Sequence, residues 1–189
     1  MNCLVSEGTM PGKKEDLRII KTNRALLQSM GKLLETRNFG EITVNDLCAE
    51  AQISRATFYS HYSDKYDLLK YWLQDLDDRL SKGVNDYEKV DSVVNPYIEM
   101  NSKLLNNLMK DISPELLNLL YDYISSFFLN ILGGGAMDNT NRVLLSNFLS
   151  GGFIQLLSQK LRGKYPSNTK FVTPYLFGLI QVMLTWDAS

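Results

Sequence analysis

Residues 53–69, ISRATFYSHYSDKYDLL, gather Arg55, Thr57, Tyr59, Ser60, His61 and Lys65 into seventeen positions. Such side chains either do chemistry or hold a polar partner. His61 is the only histidine in the chain. As a general base it needs an orienting carboxylate and a nucleophile inside a cleft, yet the nearest acid in sequence, Asp64, stands where a helix start leaves a carboxylate solvated. His61 as a packed side chain and His61 as a donor to phosphate ask less of the fold. Arginine pairs bidentately with the O6 and N7 of guanine, whereas Thr, Tyr, Ser and His mainly donate to phosphate oxygens. The residue types therefore favour a contact surface over an active site, with a half-buried Tyr59 and a plain surface Arg55 as the bland alternatives.

These side chains need elements to aim them. Ile19, Leu26, Met30 and Leu33, flanked by Ile20, Leu27 and Leu34, recur at helical spacing between about residue 15 and Arg37. Gly40 breaks that pattern. Thr43 then stands as N-cap before VNDLCAEA, where Val44, Leu47, Cys48 and Ala51 share one face. After the turn QIS, Ser54 caps a third helix predicted to run from Arg55 to about Tyr62, with Phe58 and Tyr62 facing inward. Its remaining face carries Arg55, Thr57, Tyr59, Ser60 and His61, a set suited to the major groove, which admits one helix. Ser63 is expected to cap a fourth helix striped with Leu69, Trp72, Leu73, Leu76 and Leu80. Lys65 near its start would add a phosphate contact, and the second helix can aim its N-terminal N–H groups at another phosphate. Two short helices joined by a tight turn form a helix-turn-helix pattern.

The 189 residues suffice for a small module fused to a larger one, and 44% hydrophobic with 22% charged residues fits a folded globular chain. The net charge of −1 conceals an asymmetry. Residues 13–37 hold Lys13, Lys14, Arg18, Lys21, Arg24, Lys32 and Arg37 against Glu15, Asp16 and Glu35, or 7 − 3 = +4, a solvated helix face or a nucleic-acid footprint. Two cysteines, Cys3 and Cys48, support neither a disulfide framework nor a metal cluster, and no cofactor is called for. The longest apolar run, residues 171–186, is too short and too interrupted to cross a bilayer, and the opening residues lack the basic and apolar regions of a secretory signal. A bacterial-type cytoplasmic location, on the nucleoid, is the expectation.

Beyond Gly83 the chain reads as long helices. Asn95-Pro96 and Ser113-Pro114 mark starts, and Gly133 to Gly135 mark a stop. The fold class expected is all-α: a tail over 1–13, a three-helix DNA-binding head over 14–63, and a helical-bundle body over 64–189. In residues 141–162, Leu145, Phe148, Leu149, Gly152, Phe153, Leu156 and Leu157 form a stripe too broad for one packing partner, and Val172, Tyr175, Leu176, Leu179, Ile180 and Met183 do the same near the end. Two copies meeting through these helices would be a homodimer, reading an inverted repeat in double-stranded DNA. Trp72, Tyr97, Met100, Leu104, Tyr121 and Phe127, with Leu108, Tyr123 and Phe128, are candidates for a cavity that would take a small, largely apolar effector. Plain core is the alternative for the same residues.

Residues 39–69, FGEITVNDLCAEAQISRATFYSHYSDKYDLL, resemble the DNA-binding region of TetR-family bacterial transcriptional regulators. The Ile-Thr-Val run, the alanine ending the second helix, Thr-Phe-Tyr, the His-aromatic pair and the Lys followed by a Leu pair carry the likeness. With the first and fourth helices it covers about residues 14–80. It implies a dimeric regulator with a sensing body, most simply a repressor released from its operator by a small molecule, and otherwise an activator or a regulator answering to a protein. By position it places DNA contacts on Thr43, Arg55, Ala56, Thr57, Tyr59, His61 and Lys65. Many relatives have glycine where Ala56 stands.

Overall fold

A computed structural model of the protein describes residues 17–81, 96–132 and 138–166. These segments are helical, with no strand among them. Helix α1 spans Leu17–Leu34, α2 Val44–Ala51, α3 Arg55–Tyr59 and α4 Lys65–Ser81. A helical segment at 96–100 precedes α5, Ser102–Met109, which is followed by α6, Pro114–Leu132, and α7, Asn139–Leu161. The tail expected over 1–13, the Gly133 to Gly135 stop and the last helix expected from 172 lie outside the described residues, as do the side chains of Leu76 and Leu80.

In the head, Leu26, Met30 and Leu34 recur every fourth residue and lose all contact with water. They meet Leu47 and Cys48 of α2, Phe58 of α3, Leu68 and Leu69 of α4, and Phe39 and Ile42 of the 3-10 turn between α1 and α2. Ile19 and Ile20, expected on this stripe, stay substantially exposed, and Ile20 lines the cleft that α1 forms with α4 and residues 97–104. Burial pushes the Cys48 thiol above its ordinary pKa, as expected of a core cysteine and not of a reactive one.

The caps at Thr43 and Ser54 form as the sequence predicts. Thr43 and Asp46 exchange bonds in a capping box: the Thr43 N–H donates to Asp46 Oδ2 at 2.8 Å, and the Asp46 N–H to Thr43 Oγ1 at 3.2 Å. Ser54 Oγ accepts from the Thr57 N–H at 3.0 Å. Between these caps Gln52 takes the left-handed conformation that ends α2, φ 55°.

Two boundaries differ from expectation. Helix α3 stops at Tyr59, three residues before the expected Tyr62, because the Phe58 carbonyl accepts from both the His61 and Tyr62 N–H groups and closes the last turn. Tyr62 is still buried, edge-on to Tyr71 at 5.3 Å, and burial raises its hydroxyl to about 12. Asp64, in place of Ser63, caps α4: its Oδ1 accepts from the Tyr66 and Asp67 N–H groups, both at 2.8 Å. A carboxylate complements the positive helix end better than a hydroxyl does.

In the body, Leu116, Leu120, Ile124, Phe128 and Leu132 line one face of α6 at four-residue spacing and pack on Leu145, Leu149, Ile154 and Leu157 of α7. Ser113 caps α6 through the Leu116 N–H at 3.2 Å, as its place before Pro114 predicts. Ser146 and Ser150 of α7 are fully buried, and Ser125 Oγ of α6 hydrogen-bonds to Ser146 Oγ at 3.1 Å.

Candidate nucleic-acid interface

Helix α3 is short, and its core anchor is a single side chain. Phe58 has no exposed surface, and it fixes which residues face out: Arg55, Ala56, Tyr59 and Ser60 are exposed and Thr57 is half-buried. The Arg55 guanidinium lies over the Tyr59 ring, 5.8 Å from its centroid. Stacking of this kind steadies a long side chain while leaving its N–H fork available.

The hydroxyls of this face also serve the helix itself. Ser60 Oγ donates to the Thr57 carbonyl at 2.7 Å, while Ser54 and Thr57 share one hydrogen bond between their hydroxyls at 2.8 Å. What the face offers outward is the Arg55 fork, the Tyr59 phenol, the Ala56 methyl and the remaining hydroxyl capacity. His61 sits just past the helix, half-buried, its ring 6.3 Å from that of Tyr62. The carboxylate nearest in sequence, Asp64, is committed to capping α4, so it does not orient the imidazole.

At the start of α2, Thr43 is exposed, but its hydroxyl donates to Asp46 Oδ2 at 2.6 Å. Arg37 pairs with the other oxygen of Asp46 at 2.9 Å and donates to the Glu41 carbonyl at 2.7 Å. The Arg37 hydrogen bond foremost, then those from Thr43, hold the Asp46 carboxyl well below the usual carboxylate range. Lys32 likewise pairs with Glu50 of α2. Part of the positive charge of residues 13–37 is thus neutralised inside the head.

Lys65 departs furthest from expectation. Its ammonium donates to the carbonyls of Phe39 at 2.9 Å, Gly40 at 3.2 Å and Ile42 at 2.9 Å, and stands over the Phe39 ring, 4.7 Å from its centroid. Three N–H donors meet three acceptors, and burial lowers its pKa. No donor is left for a phosphate. Lys65 instead ties the start of α4 to the turn that leads into α2. Lys65→Met is expected to lower stability by about 1–3 kcal/mol, since it strands half-buried carbonyls. The salt slope of DNA binding should not change, because no phosphate contact is removed. A melting curve and a salt titration check both.

The bacterial regulatory proteins of the tetR family match residues 31–71, a segment that holds the whole of α2 and α3 with the end of α1 and the start of α4. The head belongs to the TetR family. An uncharacterised HTH-type transcriptional regulator of Bacillus subtilis, YxbF, is 35% identical over 71 residues, which cover 34% of this chain and 19% of that protein. The HTH-type transcriptional regulator EthR of Mycolicibacterium smegmatis is 39% identical over 62 residues, 33% of this chain and 29% of that one. The likeness to these curated relatives thus spans under a third of their length. Outside the TetR-family head the likeness is one of fold. The TetR transcriptional regulator from Streptococcus agalactiae 2603V superimposes with a TM-score of 0.59 over 89% of this chain and 96% of its own, at 25% identity.

Behind the TetR-family head, the residues expected to line one effector cavity divide. Trp72, Tyr97 and Leu104 share a cleft of about 1020 Å³ with Leu27, Gly31 and other residues of α1. Met100 is 86% exposed, Tyr121 stands at the surface near Gly151, and Phe127 packs edge-on against Phe128 at 5.7 Å. None of these three lines the cleft. The cleft is also more polar than the apolar cavity expected, with Asn23, Arg24, Gln28 and Asn101 among its lining. The part played by α1 was missed, because its cleft-facing residues alternate with core positions and read from sequence as a solvated face.

Proposed function

We propose that the protein is a sequence-specific DNA-binding transcriptional regulator that works as a homodimer on an inverted-repeat operator in the bacterial cytoplasm. The observation that carries this is α3: a short helix, anchored by one buried Phe58, that turns Arg55, Ala56, Tyr59 and Ser60 to solvent inside the TetR-family segment. Arg55 reads a base edge, and Thr57, Tyr59, Ser60 and His61 position the helix on phosphates. Thr43 contributes through the helix start that it caps. Residues 17–63 form the head, and the helices from Lys65 onward serve dimerisation and sensing.

Support for the dimer comes from α7. Leu144 is 61% and Phe148 64% exposed, and they stand one turn apart. Gly152, a further turn on, has open space where a Cβ would project. An apolar ridge beside a glycine offers close approach to a second copy through the same surface. Repression and activation use the same head, and the position of the operator relative to the promoter separates them.

Selection from a random DNA pool tests the reading. An inverted repeat should emerge, and Arg55→Ala should relax preference at one position of each half-site, at a cost of about 1–3 kcal/mol. A pool that returns no preferred sequence, or a variant with unchanged preference, refutes it.

A further inference from the structure

Discrimination between bases falls to few side chains of α3. Ser60 Oγ gives its only proton to the Thr57 carbonyl at 2.7 Å. Ser54 Oγ accepts from the Thr57 N–H at 3.0 Å and shares a further hydrogen bond with Thr57 Oγ1 at 2.8 Å. These hydroxyls hold a five-residue helix together, and a hydroxyl, being donor and acceptor at once, separates one base from another poorly. The exposed residues of α3 that remain are Arg55, Ala56 and Tyr59. The Tyr59 ring lies against the Arg55 guanidinium, 5.8 Å from centroid to Cζ, and so supports that side chain. No hydrogen bond or ion pair engages the Arg55 fork among the described residues.

Ala56 offers something different in kind. It is exposed beside Arg55 at the start of α3, and its side chain is one methyl group without donor or acceptor. In the major groove one base edge is apolar, the C5 methyl of thymine. Opposite any other edge the Ala56 methyl would cover a donor or acceptor and shut it off from water, a cost that nothing offsets. The arginine fork matches the O6 and N7 of guanine. Consecutive residues at the start of a helix that enters the groove by its N-terminal end reach neighbouring base pairs, about 3.4 Å apart.

We infer that each operator half-site carries a guanine and a thymine on neighbouring base pairs, the guanine held by Arg55 and the thymine recognised through its methyl group by Ala56. The chain therefore senses methylation of the base itself, and at the thymine position 5-methylcytosine is preferred to cytosine. The inference rests on the reading of the chain as a DNA-binding regulator and names what it reads.

The test uses the full chain and the inverted repeat selected from a random pool. A guanine beside a thymine should be fixed in each half-site. Uracil in place of that thymine removes one methyl group, and should weaken binding about fourfold for each half-site changed. Cytosine there should bind worse than 5-methylcytosine by a similar factor. 7-Deazaguanine in place of the guanine removes N7 and should weaken binding about tenfold, a change to which Arg55→Ala is indifferent. Ala56→Gly, with a melting curve to show that it folds, should bind the thymine and uracil duplexes equally. The base analogues act on the native chain, so the outcome does not hang on a variant. A repeat without a guanine beside a thymine, equal native affinity for thymine and uracil, or a thymine preference that survives in Ala56→Gly would each overturn the inference and leave a sequence-specific regulator standing. A pool that returns no preferred sequence would overturn both.

Discussion

Phe148→Glu is expected to leave the protein monomeric and to cost about a hundredfold or more in operator affinity. Phe148 is 64% exposed on α7 beside Leu144, so in the single chain its ring lies largely in water, and a glutamate there disturbs little of the monomer core. In the proposed dimer the same position meets its own copy or a near neighbour across the two-fold axis, so the substitution would place two carboxylates in the interface. Burying unpaired charge costs far more than the apolar contact it replaces. A dimer binds its second half-site at an effective concentration in the millimolar range, and a monomer forfeits that gain. Sedimentation should show one chain per particle with an unchanged melting temperature at low protein concentration. A Phe148→Glu protein that still sediments as a dimer would remove α7 from the interface.

Phe58→Ala should destabilise the head by about 3–5 kcal/mol. Phe58 is fully buried, and it holds a helix of five residues whose backbone bonds alone cannot sustain it. Its ring lies 5.4 Å from Tyr59 and 6.0 Å from Tyr62, so its loss empties the centre of an aromatic cluster and frees the face that carries Arg55. The loss is a large fraction of the 5–15 kcal/mol by which domains are ordinarily stable. DNA binding should vanish for every sequence alike, and denaturant unfolding should show an earlier transition. Arg55→Ala behaves in the opposite way, with the unfolding curve unchanged and only base preference altered. The pair separates the residue that holds α3 from the one proposed to read a base.

The elements of the head were legible in the sequence because their signals act over three or four residues. The caps at Thr43 and Ser54, the inward spacing of Leu26, Met30 and Leu34, and the outward placement of Arg55, Tyr59 and Ser60 depend on helix geometry alone, and the structure places each of them so, whereas Thr57 and His61 of the same expected set are half-buried. The end of α3 depended on a competition the sequence does not rank: two N–H groups converge on the Phe58 carbonyl, and Asp64 outbids Ser63 for the start of α4. Lys65 was misjudged for a different reason. Its partners lie 23 to 26 residues away, and nothing local shows that the turn after Phe39 presents three carbonyls to one ammonium. The cleft was the least legible feature. It exists because α1 meets a stretch some seventy residues later, and the direction in which Met100, Tyr121 and Phe127 turn follows from how whole helices pack. Local hydrogen bonding and periodicity thus set which helices form and which face of α3 is free, while the packing of distant helices decided where the lysine is held and which aromatic residues share a cavity.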